Sequence, residues 1–197
     1  SLTQSIFIDM FGDSSAELEL GEVITFVTSG GRGWAQYYSK SGSRFIRSLD
    51  VRMNRLSDDE IAYIDPPDNA EARRTRVMPG DLLLTITGSR IGRVAWVDEA
   101  WANAYISQHV ALLRLDQNRL RSPFASQFLS LDQGGQRQIQ RLQYGQTKPG
   151  LNFNQIRSIR IPAPNVADQD RYLNRLGVIQ QVRTSANTSL QQLDALF

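Results

Sequence analysis

The chain has 197 residues, 41% hydrophobic and 21% charged, enough for one good core with an extended appendage. No apolar run approaches the roughly 18 residues that span a bilayer, and the start, SLTQSIFIDMFGD, does not read as a signal peptide. With no cysteine, disulfides and thiolate metal sites are excluded, in keeping with a cytoplasmic location, and the net charge of +2 singles out no partner.

Leu2, Ile6, Phe7, Met10 and Phe11 line one face of a helix over residues 1–11, which Gly12 ends; the pattern reads as a helix that begins before residue 1. From Leu20 the pattern changes to short apolar pieces between turn residues: GEVITFV ahead of SGGRG, RFIRSLDV, IAYI ahead of Asp65-Pro66-Pro67, DLLLTIT, RVAWV and AYISQHVALLRL. Alternation and β-branched content predict strands for most of these, with AEARRTR from Ala70 a short helix. Helices are expected again at Ser122–Leu131, with a serine cap and Pro123 in the first turn, and at Gln136–Leu142. QYGQTKPG reads as a loop, and SIRIPAP as a short edge strand closed by Pro162 and Pro164.

In the last segment Leu176, Ile179, Ala186, Leu190, Leu193 and Phe197 fall at alternating three- and four-residue intervals, with Val182 beside Arg183, as a coiled-coil seam requires. This predicts a long helix that projects from a domain complete by Pro164 and pairs with another helix. The expected fold is therefore α+β: a mixed, mainly antiparallel β core with short helices, followed by a long C-terminal helix of coiled-coil type. The chain divides into the end of a preceding helix (1–12), a β-rich domain (13–165) and a pairing helix (166–197). Read on from QQLDALF into SLTQSIFIDMFGD, the apolar spacing continues, which suggests a parent architecture with two copies of one unit.

Charge is unevenly spread. Residues 1–116 are net −4, residues 117–163 net +6, and the tail from Pro164 neutral. An anion would be drawn to the middle segment. Of 22 basic residues only Lys40 and Lys148 are lysine; guanidinium groups suit bidentate contacts to phosphate and guanine, although a GC-rich coding bias gives the same excess.

Signatures of chemistry are weak. Asp65-Pro66-Pro67-Asp68 approaches the tetrapeptide of amino-methyltransferases, but its fourth residue cannot stack on a base, so a proline turn is the better reading. No carboxylate cluster with a nearby lysine suggests a metal nuclease. The single histidine, His109, reads as a hydrogen-bonded structural residue, and the glycine runs lack the Lys-Ser or Lys-Thr of nucleotide loops. What remains is a set of polar, basic turns: SGGRGW, YSKSGSRFIR, TGSRIGR and YGQTK. Any one could be a solvated hairpin. Together, beside a +6 segment, they point to nucleic acid, with Arg32, Lys40, Arg44, Ser89, Arg90, Arg93, Tyr144, Gln146, Thr147 and Lys148 as candidate contacts. Arg and Gln would read base edges; Lys and Ser would hold phosphate.

The motifs MFGD, LGEV, RSLDV, PGDLLLTITGSRIG, ISQHV, GQTKPGL, IPAP, Gln169 and LDALF occur in that order over nearly the whole chain. In this order the sequence resembles the specificity subunits of type I restriction-modification systems. The resemblance implies a non-catalytic target-recognition domain that binds double-stranded DNA at one half of a split site, with its helix as a spacer. It implies modification subunits that carry S-adenosylmethionine and methylate adenine, and a restriction subunit where the system has one. Family members usually hold two recognition domains and two helices. One of each here implies a second domain in the same parent chain, or a homodimer. The other readings are a protein-interaction adaptor with a dimerising helix and a stand-alone DNA methyltransferase.

Overall fold

In the computed structural model the described residues are 2–12, 16–144 and 149–194. The helix α1 (Leu2–Phe11) precedes β1 (Glu17–Glu19), a single helical turn at Leu20–Glu22 and β2 (Ile24–Ser29). A second such turn, Trp34–Tyr37, leads to β3 (Tyr38–Ser39), β4 (Ser43–Ile46), β5 (Val51–Arg52), β6 (Arg55–Leu56) and β7 (Ala62–Ile64). Then follow α2 (Ala70–Thr75), β8 (Leu82–Thr85), β9 (Val94–Trp96), β10 (Tyr105–Ile106) and β11 (Val110–Leu115). The chain closes with α3 (Ser122–Leu129), α4 (Arg137–Leu142), α5 (Phe153–Arg157), β12 (Arg160–Pro162) and α6 (Val166–Asp194). None of these helices is long and apolar enough to cross a membrane.

The main sheet runs β2-β11-β8-β9 and is antiparallel throughout. A second sheet, β10-β4-β7-β3, sets β10 parallel to β4 and the remaining pairs antiparallel. Two small pairs, β1-β12 and β5-β6, complete the mixed, mainly antiparallel α+β fold expected from the sequence. The apolar runs of β8 and β11 lack polar alternation because both faces of the main sheet are covered. Leu82, Leu84, Ala111 and Leu113 face a cluster with Phe7, Phe124 and Tyr172, while Leu83, Val110 and Leu112 face another with Val51, Val97 and Trp101.

Several boundaries differ from expectation. RFIRSLDV is not one strand: Asp50 accepts hydrogen bonds from the Arg47 backbone N–H at 2.8 Å and from its guanidinium at 2.9 Å, and this closes a turn between β4 and β5. AYISQHVALLRL likewise breaks at residues 107–109 into β10 and β11, which lie in different sheets. Ser122 does not cap α3. Arg121 takes that position, and the Ser122 hydroxyl instead donates to the Gly80 carbonyl at 2.6 Å. The residues named from the P-G-D motif have a local reason. Gly80 has φ +86°, and the almost fully buried Asp81 accepts from the Met78 N–H and forms a bidentate pair with Arg114 at 2.8 and 2.9 Å.

The long helix is only partly free. Gln169 and Tyr172 are fully buried, Leu173, Leu176 and Ile179 are half-buried against the core, and every residue from Gln180 to Gln192 is exposed. Tyr172 joins Phe7, Phe11 and Phe124 in an aromatic cluster with centroids 5.2 to 5.7 Å apart. The domain is thus not complete by Pro164: the first turns of α6, with α1, are part of its core. Ala186 and Leu190 project with the exposed half, whereas the Leu193 side chain and Phe197 lie outside the described residues.

Candidate nucleic-acid interface

Four segments meet at an open cleft of about 830 Å³, lined by Arg32, Thr87, Gly88, Ser89, Gln108, His109, Tyr144, Pro149 and Gly150. Backbone pairing assembles it. Ile86 N–H donates to the His109 carbonyl at 2.9 Å and Leu151 N–H to the Ile86 carbonyl at 3.0 Å, so the turn after β8, the 107–109 turn and the strand-like Gly150 lie side by side. Tyr144 and Gly150 exchange backbone hydrogen bonds at 3.1 and 2.9 Å. The SGGRG loop closes the fourth side, and only glycine lets it approach so near: a Cβ on Gly30 would stand 2.1 Å from the Ile106 carbonyl oxygen. Trp34, just beyond that loop, is buried and donates from Nε1 to Glu71 of α2 at 2.9 Å, which anchors the loop to the domain.

The candidates named from the sequence divide by position. Arg32, Ser89 and Tyr144 line the cleft, all exposed, and neither the Arg32 nor the Ser89 side chain has a hydrogen-bond or ion-pair partner among the described residues. Lys40 is exposed in the turn between β3 and β4, which flank β7 on either side rather than pairing with each other, and it does not line the cleft. Arg44 is engaged elsewhere, donating to the Ala100 carbonyl at 2.7 Å with its guanidinium 5.0 Å from the centre of the Trp101 ring. Gln146, Thr147 and Lys148 lie outside the described residues.

Arg90 and Arg93 turn inward from the glycine turn. Gly88 and Gly92 adopt φ of +87° and +88°, which folds the turn tightly, and Arg90 reaches back to the Leu49 carbonyl at 3.2 Å. Arg93 is half-buried, and one of its terminal nitrogens is enclosed without a hydrogen-bond partner among the described residues. Its pKa is pushed down, first by burial and then by the positive charges of Arg90 and Arg52. Arg90 therefore ties the turn to the 47–52 segment, while Arg93 is drawn in beside the like charges of Arg90 and Arg52.

The +6 segment is also less free than its sequence suggests. Arg119, Arg121 and Arg160 pair with Glu22, Asp170 and Glu17, all from outside it. Sequence reasoning passed over Gln108 and gave His109 a structural role. Both are exposed in the cleft, His109 Nδ1 lies 2.6 Å from Thr87 Oγ1, and its Nε2 lies 3.2 Å from Gln108 Nε2. The available signal was three consecutive polar residues, Ser107 to His109, that interrupt an apolar run.

The profile of the type I restriction modification DNA specificity domain matches residues 18–194. No curated protein sequence matches the chain. Among solved structures, a chain from a study of complex assembly and conformational transition of the type I R-M system aligns with a TM-score of 0.70 at 18% identity, over 98% of this chain and 47% of that one. The HsdS subunit from Thermoanaerobacter tengcongensis aligns at 0.66 and 18% identity, over 95% and 44%. The type I restriction-modification S subunit from M. genitalium aligns at 0.61 and 17% identity, over 85% and 39%. The chain thus spans less than half the length of each of these proteins.

Proposed function

We propose that this chain, which belongs to the type I restriction modification DNA specificity domain family, reads one half of a split double-stranded DNA site through the four-sided cleft. The observation that carries this reading is the meeting of Arg32, Ser89, Gln108, His109 and Tyr144, from four distant segments, at one open, polar surface. Exposed donors and acceptors on short loops of a rigid domain suit base edges and phosphates. Arg32 reads a base edge or holds a phosphate, Ser89 donates to phosphate, and Tyr144 packs on the nucleic acid. Gln146, Thr147 and Lys148, which fall between Tyr144 and Pro149 in sequence, add base and phosphate contacts. Lys40 reaches an outlying phosphate. Arg44 and Arg90 hold loops in place, and Arg93 adds positive charge beside Arg90.

The chain performs no chemistry in this reading. Modification subunits supply S-adenosylmethionine and methylate adenine, and a restriction subunit joins where the system has one. A second recognition unit, in the same parent chain or in a second copy, reads the other half-site. The exposed half of α6, through Ala186 and Leu190, pairs with a second helix and sets the distance between the two; Leu193 and Phe197 continue the same spacing in sequence. Selection from a randomised duplex pool tests the reading: the full chain should enrich a short, defined sequence, with affinity that falls steeply with salt. Enrichment of no sequence would refute it.

A further inference from the structure

In the cleft Thr87, His109 and Gln108 are joined in a row by side-chain contacts. Thr87 Oγ1 lies 2.6 Å from His109 Nδ1, and Gln108 Nε2 lies 3.2 Å from His109 Nε2. An amide nitrogen can only donate, so His109 Nε2 is the acceptor of that bond. The ring proton is then on Nδ1, donated to the Thr87 hydroxyl, which is itself set by the backbone pairing of Thr87 with Gly150. Gln108 makes no other hydrogen bond among the described residues and is exposed in the cleft. Its carbonyl Oε1 and its second N–H are left free, one acceptor beside one donor.

In the major groove that pair is the complement of a single base edge. Adenine presents N7, an acceptor, beside N6–H, a donor, in the major groove, and a glutamine amide meets both at once. Guanine presents two acceptors there and would leave Oε1 facing O6 or N7, with nothing to receive. We infer that Gln108 is a specificity-determining residue that selects adenine at one position of the bound duplex, and that His109 and Thr87 are positioning residues that hold its amide in the adenine-reading orientation. The inference rests on the DNA-reading function proposed above and names the base that this part of the cleft takes.

Selection from a randomised duplex pool, run in parallel on wild type and variants of the full chain, tests it. Wild type should enrich adenine at one position. Gln108→Ala should lower discrimination at that position about tenfold and leave the others as they were. Gln108→Glu, which only accepts, should shift that position toward cytosine, whose N4 amino group donates. Gln108 is exposed, so melting temperatures should match wild type. Thr87→Val should lose discrimination at the same position while Thr87→Ser keeps it, a difference that a merely structural threonine would not give. A wild type that enriches no sequence would remove the DNA reading itself. A wild type that enriches a sequence unaltered by Gln108→Ala, or one weakened equally at every position, would overturn the Gln108 assignment, as would guanine at the position that Gln108 controls.

Discussion

Replacing Gln169 with leucine should unlatch the long helix from the domain. Gln169 is fully buried, and its amide makes three hydrogen bonds: Oε1 accepts from the Arg121 backbone N–H at 2.8 Å, and Nε2 donates to the carbonyls of Arg119 and Pro164 at 3.0 and 2.7 Å. One side chain thus ties the start of α6 to the N-terminus of α3 and to the chain that leads into α6. Leucine matches its volume but satisfies none of the three backbone groups. At about 1 kcal/mol for each hydrogen bond, and more for any group left without a partner, the loss is about 3 to 5 kcal/mol. For a domain of this size that lowers the midpoint of melting by roughly 6 to 20 °C. Urea titration followed by circular dichroism measures it. The Arg121–Asp170 pair at 3.0 Å remains in the variant, so a change would belong to the amide. A loss below about 1 kcal/mol would refute the latch.

Tyr172→Phe should be neutral or stabilising by about 1 kcal/mol, because the phenol oxygen is enclosed without a hydrogen-bond partner among the described residues and burial pushes its pKa up; a clear fall in the urea midpoint would contradict this. Asp81→Asn should destabilise by about 2 to 3 kcal/mol, less than a fully buried pair because the Arg114 side chain is 33% exposed, and the same titration measures it. Truncation after Gln180 should leave a cooperatively melting domain and abolish pairing as seen by light scattering, whereas truncation after Pro164 should prevent folding, because it removes Tyr172 from the aromatic cluster. Arg32→Ala should weaken duplex binding across sequences and make the salt dependence shallower by about one phosphate contact, measured by titration at several salt concentrations.

The elements written in a single stretch of sequence were legible. The apolar face of residues 2–11, the sandwiched runs of β8 and β11, the helix at Ala70 and the start of the α3 segment all follow from local periodicity. Three kinds of feature were not. Strands of two or three residues, such as β1, β3 and β6, take their pairing from distant partners and carry almost no pattern of their own. α5 is five residues long, too short for a periodic signal, although Asn152 and Gln155 form a capping box at its start. Charge was the third: Arg44, Arg90, Arg119 and Arg160 read alike in sequence but end against a carbonyl, a ring or a carboxylate supplied from elsewhere. The basic turns named the neighbourhood of the cleft, and tertiary pairing decided which side chains stand free in it. Gln108 escaped notice, and His109 read only as a structural residue, because their arrangement depends on Thr87, some twenty residues away in sequence but adjacent in space.

Site-directed photo-cross-linking to duplex DNA tests the central claim most directly. A photoreactive residue in place of Ser89 stands on the cleft, and one in place of Asn118 stands on the surface at the opposite end of β11 from the 107–109 turn. β11 is six residues long, which separates its two ends by roughly 20 Å. The account predicts cross-links to the duplex from position 89 and none from position 118. Cross-links from position 118 alone would place the DNA on the wrong side of the domain and contradict it.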